Sequence, residues 1–145
     1  MAISRGCGED RPGMSLVTVD KADFSGPGLK ALAHVRRVLG DSTAETTVER
    51  VKAVMSAPVD LLYIDSKHTY EHTMANLKIY REAFDPRVII LDDIRINPEM
   101  EDLWREVSRE FRDQSFDASE LADRSTGFGV IFPRLLSDCE INRRH

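Results

Sequence analysis

Two short apolar runs, LLYI (61–64) and VIIL (88–91), each stop at acids, Asp65 and the pair Asp92–Asp93, with one helix-length segment between them. Near-continuous apolar runs of this length suit strands buried on both faces. The intervening HTYEHTMANLKIYREAF returns Tyr70, Met74, Leu77, Tyr80 and Phe84 at three- and four-residue intervals, the period of a helix. The order strand, helix, strand predicts a parallel sheet, because parallel neighbours require a long crossover.

The same alternation extends in both directions. SLVTVD (15–20) alternates and ends on Asp20, and VRRVLGD (35–41) is a weaker strand candidate ending on Asp41. FSGPG between them reads as loop, followed by a turn or two of helix over LKALAH. Ser42 or Thr43 can cap a helix through VERVKAVM, with Val48, Val51 and Val54–Met55 on one side. Asp85-Pro86 ends the helix before VIIL. Pro98 suits the first turn of PEMEDLWREVSREF, whose Met100, Leu103, Trp104, Val107 and Phe111 form an apolar stripe. Trp104 on that stripe reads as core, and GFGVIFP (127–133) as a final strand with Phe128 and Gly129 near its rim. These elements predict one α/β domain over residues 1–145, a mostly parallel sheet with helices on both faces.

In such a sheet ligands sit beyond the carboxyl ends of the strands. Asp20, Asp41, Asp65 and Asp92–Asp93 are therefore expected to converge on one rim although they are scattered in sequence. Capping and loop hydrogen bonds explain Asp41 comfortably. They explain adjacent carboxylates less well, since like charges repel unless a cation offsets them; a hard divalent ion with oxygen ligands is the economical partner.

Composition narrows the classes. Charged residues make up 31% and hydrophobic ones 41%, the balance of a soluble globular protein. A net charge of −5 argues against nucleic acid as a partner. No apolar run approaches the roughly 20 residues that span a bilayer, and MAISRGCGEDRPG has no signal-peptide hydrophobic region, so a cytoplasmic protein without a membrane partner is expected. Cys7 and Cys139 lack metal-ligand spacing and read as free thiols. His34, His72 and His145 have weaker claims to a site, and His72 reads as a solvated helix position. A phosphoacceptor receiver domain would place its acidic pair before the lone acid, the reverse of the order here, and a dinucleotide-binding dehydrogenase would need a GxGxxG that is absent.

DLLYIDSKHTYE followed by VIILDDI resembles the class I S-adenosylmethionine-dependent methyltransferases, and within them the small-molecule O-methyltransferases related to the cephalosporin-biosynthesis methyltransferase. The resemblance covers about residues 15–112 and implies a Rossmann-like sheet. It implies Asp65, Asp92 and Asp93 as ligands of Mg²⁺ or another divalent cation, with Asp65 also at the edge of the cofactor site. Asp20 would bond the ribose hydroxyls of S-adenosylmethionine, and Asp41 and Ser42 would lie beside its adenine. His68 is the first candidate for general base and Lys67 the second. The implied reaction is metal-assisted O-methylation of a small hydroxylated molecule.

The family's first strand ends in a Gly-rich loop against the cofactor. Here residues 1–14 offer only a loop or a remnant of that strand, with Gly6 and Gly8 as the remaining cofactor-binding candidates and no room for the first helix. A chain truncated at its N-terminus is the expectation, and a homo-oligomer, for example a dimer that covers exposed strand edges, is one way to supply what is missing. The alternative function is a catalytically impaired, methyltransferase-like oligomerisation or interaction module.

Overall fold

The computed structural model describes residues 2–5, 15–23, 28, 32–121 and 125–133. Gly6, Cys7, Gly8, Cys139 and His145 lie outside them, as does most of the FSGPG and LKALAH stretch. The chain runs β1 (Ala2–Arg5), β2 (Ser15–Asp20), β3 (Val35–Leu39), α1 (Glu45–Lys52), β4 (Leu61–Ile64), α2 (Tyr70–Phe84), β5 (Val88–Asp92), α3 (Pro98–Phe111), a 3-10 turn (Arg112–Gln114), β6 (Ser115–Asp117) and β7 (Phe128–Ile131). The strands form one sheet in the order β3-β2-β1-β4-β5-β7-β6.

The mostly parallel sheet expected from the sequence is corrected. Of the six neighbouring pairs, β2–β3 and β4–β5 are parallel and the other four antiparallel. The central β1 runs against both neighbours, with Arg5 opposite Ser15, and Ala2 opposite Thr18 on one side and Tyr63 on the other. The reason lies in the connection: residues 6–14 are fewer than the dozen or more that a parallel crossover needs, whereas an antiparallel neighbour can be joined by a short link. β2, β3, β4 and β5 nonetheless share one direction, so their carboxyl ends do form a common rim. β7 closes the other side as an antiparallel strand, paired with the three-residue β6, which has too little apolar patterning to be read from sequence.

Helices are expected on both faces of the sheet, and the described residues show how one of those faces is covered. Val17, Val19, Leu62, Ile64, Ile89 and Leu91, at alternate positions of their strands, join Val48, Val51, Met74, Leu77, Tyr80, Phe84, Leu103, Val107 and Phe111 in one core. The helices α1, α2 and α3 therefore pack on the same face. The intervening Leu16, Thr18, Leu61, Tyr63, Val88 and Ile90, which point to the other face, are only half-buried.

The helix ends follow local chemistry. α3 begins with Asn97 as N-cap, its Oδ1 accepting from the Met100 amide at 3.0 Å, and Pro98 follows where a missing N–H costs nothing. α2 ends at Asp85, which takes the left-handed conformation (φ 47°) before Pro86. α1 differs from the expectation: its N-cap is Ala44 with no side-chain bond, and it stops at Lys52, leaving Val54 exposed while Met55 turns back into the core. Thr43 does not cap because its amide and hydroxyl are both held by Asp41. Trp104 packs against the core, and a Cβ at Gly129 would stand 2.6 Å from its ring, so β7 needs glycine there to pass beneath the indole.

Candidate functional site

The carboxyl ends of β4 and β5 are adjacent because the two strands pair in parallel, Ile64 beside Leu91. The next residues, Asp65 and Asp92, are thus neighbours across the rim, but they do not act alike. Asp92 is buried; it accepts a short hydrogen bond from the Tyr63 hydroxyl through Oδ2 and the Asp93 amide at 3.0 Å through Oδ1. Asp93 leaves the strand in the left-handed conformation (φ 58°), which an aspartate adopts more readily than most residues. That turn breaks strand alternation and carries its side chain toward the loop after β4. The turn is braced by the residues leading into β7: the Asp93 amide donates to the Gly127 carbonyl at 3.0 Å and the Arg95 amide to that of Thr126 at 2.7 Å. Gly127 itself has φ 97°, and a Cβ there would stand 2.6 Å from Ile94 and 2.8 Å from the Arg95 nitrogen.

His68 completes the group from the β4–α2 loop. Its Nε2 lies 3.1 Å from Asp93 Oδ2 and 3.4 Å from Asp65 Oδ1. One ligand atom from each of Asp65, His68 and Asp93 lies within 4.8 Å of the others. Neighbouring ligand atoms around a small divalent ion with bonds of about 2.1 Å sit about 3 Å apart, so the 3.1 and 3.4 Å separations from His68 fit a shared ion. Asp93 is the most enclosed of the three and Asp65 is half exposed, with side-chain exposures of 17% and 50%, so the group opens to solvent on one side. Asp92, expected as a third carboxylate ligand, stands outside the group. Lys67 is exposed on the same loop, and its carbonyl accepts from the Thr69 amide and the Thr73 hydroxyl.

The other half of the rim lies across β1. Asp20 is exposed at the end of β2, its carbonyl accepting from the Gly40 amide at 2.8 Å. Asp41 turns inward on its own loop: Oδ1 accepts from the Thr43 amide (3.0 Å) and hydroxyl (2.7 Å), and Oδ2 pairs with Lys21 at 3.1 Å. The Thr43 amide first, then its hydroxyl and Lys21, hold this carboxyl well below the usual carboxylate range. Ser42 is buried, its hydroxyl 3.5 Å from Nε2 of His72. Burial pushes the His72 pKa down, against the opposing pull of Asp41. The structure thus brings Asp65, His68 and Asp93 together and sets Asp20, Asp41 and Ser42 apart from them. β1 departs from its expected role here, since the chain leaves it at Arg5, opposite Ser15, at the edge away from this rim.

Three residues at the site were not singled out by sequence reasoning. Tyr63 reads from sequence as one more apolar strand residue and His72 as a solvated helix position, while Asn97 stands unremarked before Pro98. The Asn97 cap was legible in Asn-Pro before an apolar stripe; its second bond, from Nδ2 to the His68 carbonyl at 2.9 Å, is tertiary.

Among the described residues no helix is long and apolar enough to cross a membrane. A family model described as a methyltransferase domain matches residues 3–94, from β1 through the turn after Asp93. Neither the curated proteins nor the solved structures hold a match. The model spans more than half of the chain and takes in Asp65, His68 and Asp93, so this chain belongs to the methyltransferase-domain family, and methyl transfer is the activity that membership supports.

Proposed function

We propose that the protein is an S-adenosylmethionine-dependent methyltransferase that transfers a methyl group to a hydroxyl of a small molecule, assisted by a divalent cation held by Asp65, His68 and Asp93. The observation that carries this reading is the convergence of those three side chains, from two successive strand ends, within a methyltransferase domain. A donor set of two carboxylates and one imidazole suits Mn²⁺ or Zn²⁺ better than the Mg²⁺ expected from three aspartates. When bound, the cation would supply positive charge that favours the deprotonated form of the substrate hydroxyl.

The residues divide the remaining work. Asp93 and Asp65 fix the position of the acceptor site on the rim, and Asp92, held by Tyr63, keeps the turn of Asp93 in place. Nε2 of His68 faces both carboxylates, which favours the ligand role over that of general base, because one nitrogen cannot hold the ion and accept a proton at once. Lys67, exposed beside it, is then the group placed to pass the substrate proton to solvent. On the cofactor side Asp20 fits as an acceptor for ribose hydroxyls. Asp41 fits less well beside adenine, since both its oxygens already have donors. Positioning the two reactants supplies most of the acceleration.

The direction of β1 favours a second reading, a methyltransferase-like interaction module, because the strand that ends at the cofactor in the resembling family runs the other way here. Isothermal titration with S-adenosylmethionine, with and without Mn²⁺, separates the two. Saturable binding supports the enzyme; no heat in either condition sinks it and leaves the module.

A further inference from the structure

We infer that Asn97 is a positioning residue, which locks the loop carrying His68 to the start of α3 and so holds His68 at the distance from Asp93 that a shared cation requires. The inference rests on the proposed cation site and names a residue outside it.

The argument starts from the two ends of one side chain. Asn97 Oδ1 accepts from the Met100 amide at 3.0 Å, which is ordinary capping and would be served equally by Asp or Ser. Nδ2 donates to the His68 carbonyl at 2.9 Å, a bond that neither replacement can reproduce, since Asp has no donor and Ser is too short to reach in both directions. The other carbonyl of that loop with bonds of its own, Lys67, is held within the loop and α2, by Thr69 and Thr73. Among the described residues Asn97 therefore ties the backbone of His68 to the segment continuing from Asp93, beside the contact of the imidazole with Asp93 itself. That segment is itself short and braced: Ile96 donates to the Asp93 carbonyl at 3.2 Å, and Asn97 is the next residue. A second crosslink runs parallel to it, Glu99 accepting from the Tyr70 amide at 3.1 Å and Glu106 from the Tyr70 hydroxyl. It fixes the α2–α3 approach but reaches the chain two residues after His68, beyond the loop that carries the imidazole.

Asn97→Asp and Asn97→Ser keep the cap and remove the tie, whereas Asn97→Ala removes both. Two measurements on the full chain follow. Amide hydrogen exchange without metal is expected to quicken about fivefold at residues 67–69 in Asn97→Asp and Asn97→Ser, with the amides of 100–102 unchanged; Asn97→Ala quickens both. Titration with Mn²⁺ is expected to show affinity about tenfold weaker in both capped variants, and no further loss when either is added to His68→Ala. The added negative charge of Asp would by itself strengthen cation binding, and Asn97→Ser, which adds no charge, separates loss of the tie from repulsion between a new carboxylate and the His68 carbonyl. Unchanged exchange at 67–69 in both capped variants overturns the inference and leaves Asn97 a helix cap, as does an Mn²⁺ affinity loss that persists in full without His68. If the parent chain binds no Mn²⁺, the cation reading fails, and the exchange data still decide whether Asn97 holds the loop.

Discussion

The two halves of the rim use the same residue type for opposite ends. Across β3, Asp41 gathers the amide and hydroxyl of Thr43 and the ammonium of Lys21, so its charge is neutralised locally and its work is to shape a loop. Across β4 and β5, Asp65 and Asp93 point from different loops at one imidazole, and their charges add at a common point. Asp92 shows that the distinction does not follow strand position, since it ends β5 yet is engaged inward by Tyr63 and the next amide. An acid at the end of a parallel strand is placed near the ligand rim by topology; what it does there depends on how many donors its own neighbourhood supplies.

Predictions test that contrast, beginning with the largest effect. Gly127→Ala puts a Cβ at φ 97° and within 2.8 Å of the Arg95 nitrogen, and is expected to cost about 3 kcal/mol in urea unfolding while weakening Mn²⁺ binding through the Asp93 turn. Asp93→Asn keeps a residue tolerant of the left-handed conformation but removes the charge; Mn²⁺ affinity is expected to fall roughly a hundredfold by calorimetry, against no loss for Asp41→Asn. Two tyrosines sharpen the comparison next. Tyr63→Phe removes the side-chain donor to Oδ2 of buried Asp92 and is expected to cost about 2 kcal/mol. Tyr80→Phe removes a buried hydroxyl that has no hydrogen-bond partner among the described residues, a phenol that burial pushes up to about 12, and is expected to be neutral or stabilising by less than about 1 kcal/mol in the same assay.

The smallest effect is in pH dependence. Burial favours neutral His72 in the folded protein, so the unfolded chain takes up its proton first as pH falls below about 6.5. That contribution to stability is full above this value and declines as pH drops through the depressed folded pKa; His72→Gln should flatten this stretch of the Tm profile. The lowered pKa of Asp41, and that of Asp117, where bonds from Ser119 and Arg95 outweigh an opposing burial effect, act lower. Their stabilisation is present above the ordinary carboxylate pKa near 3.8 and is lost only as pH falls through the folded values. A His72→Gln variant whose Tm profile runs parallel to the parent's between pH 6.5 and 5 would contradict the burial of His72.

Much of this molecule was legible because the signals were local. LLYI and VIIL carry the strands, the three- and four-residue returns from Tyr70 to Phe84 carry α2, and Asn97-Pro98 marks the start of α3. Parallel pairing of β4 with β5 follows from the helix between them, and with it the meeting of Asp65 and the Asp92–Asp93 pair on one rim. The chain by itself thus determined which acids reach the rim. It did not determine which of them face one another. Asp93 rather than Asp92 joins His68 because the backbone turns left-handed after the strand, braced by Gly127 just before β7, far away in sequence. The reversal of β1, the packing of α1, α2 and α3 on one face and the second bond of Asn97 are likewise decided by contacts between distant segments. Periodicity and caps reflect interactions within a few residues, whereas the direction of a side chain at a strand end is set by whichever remote donors the fold brings to it.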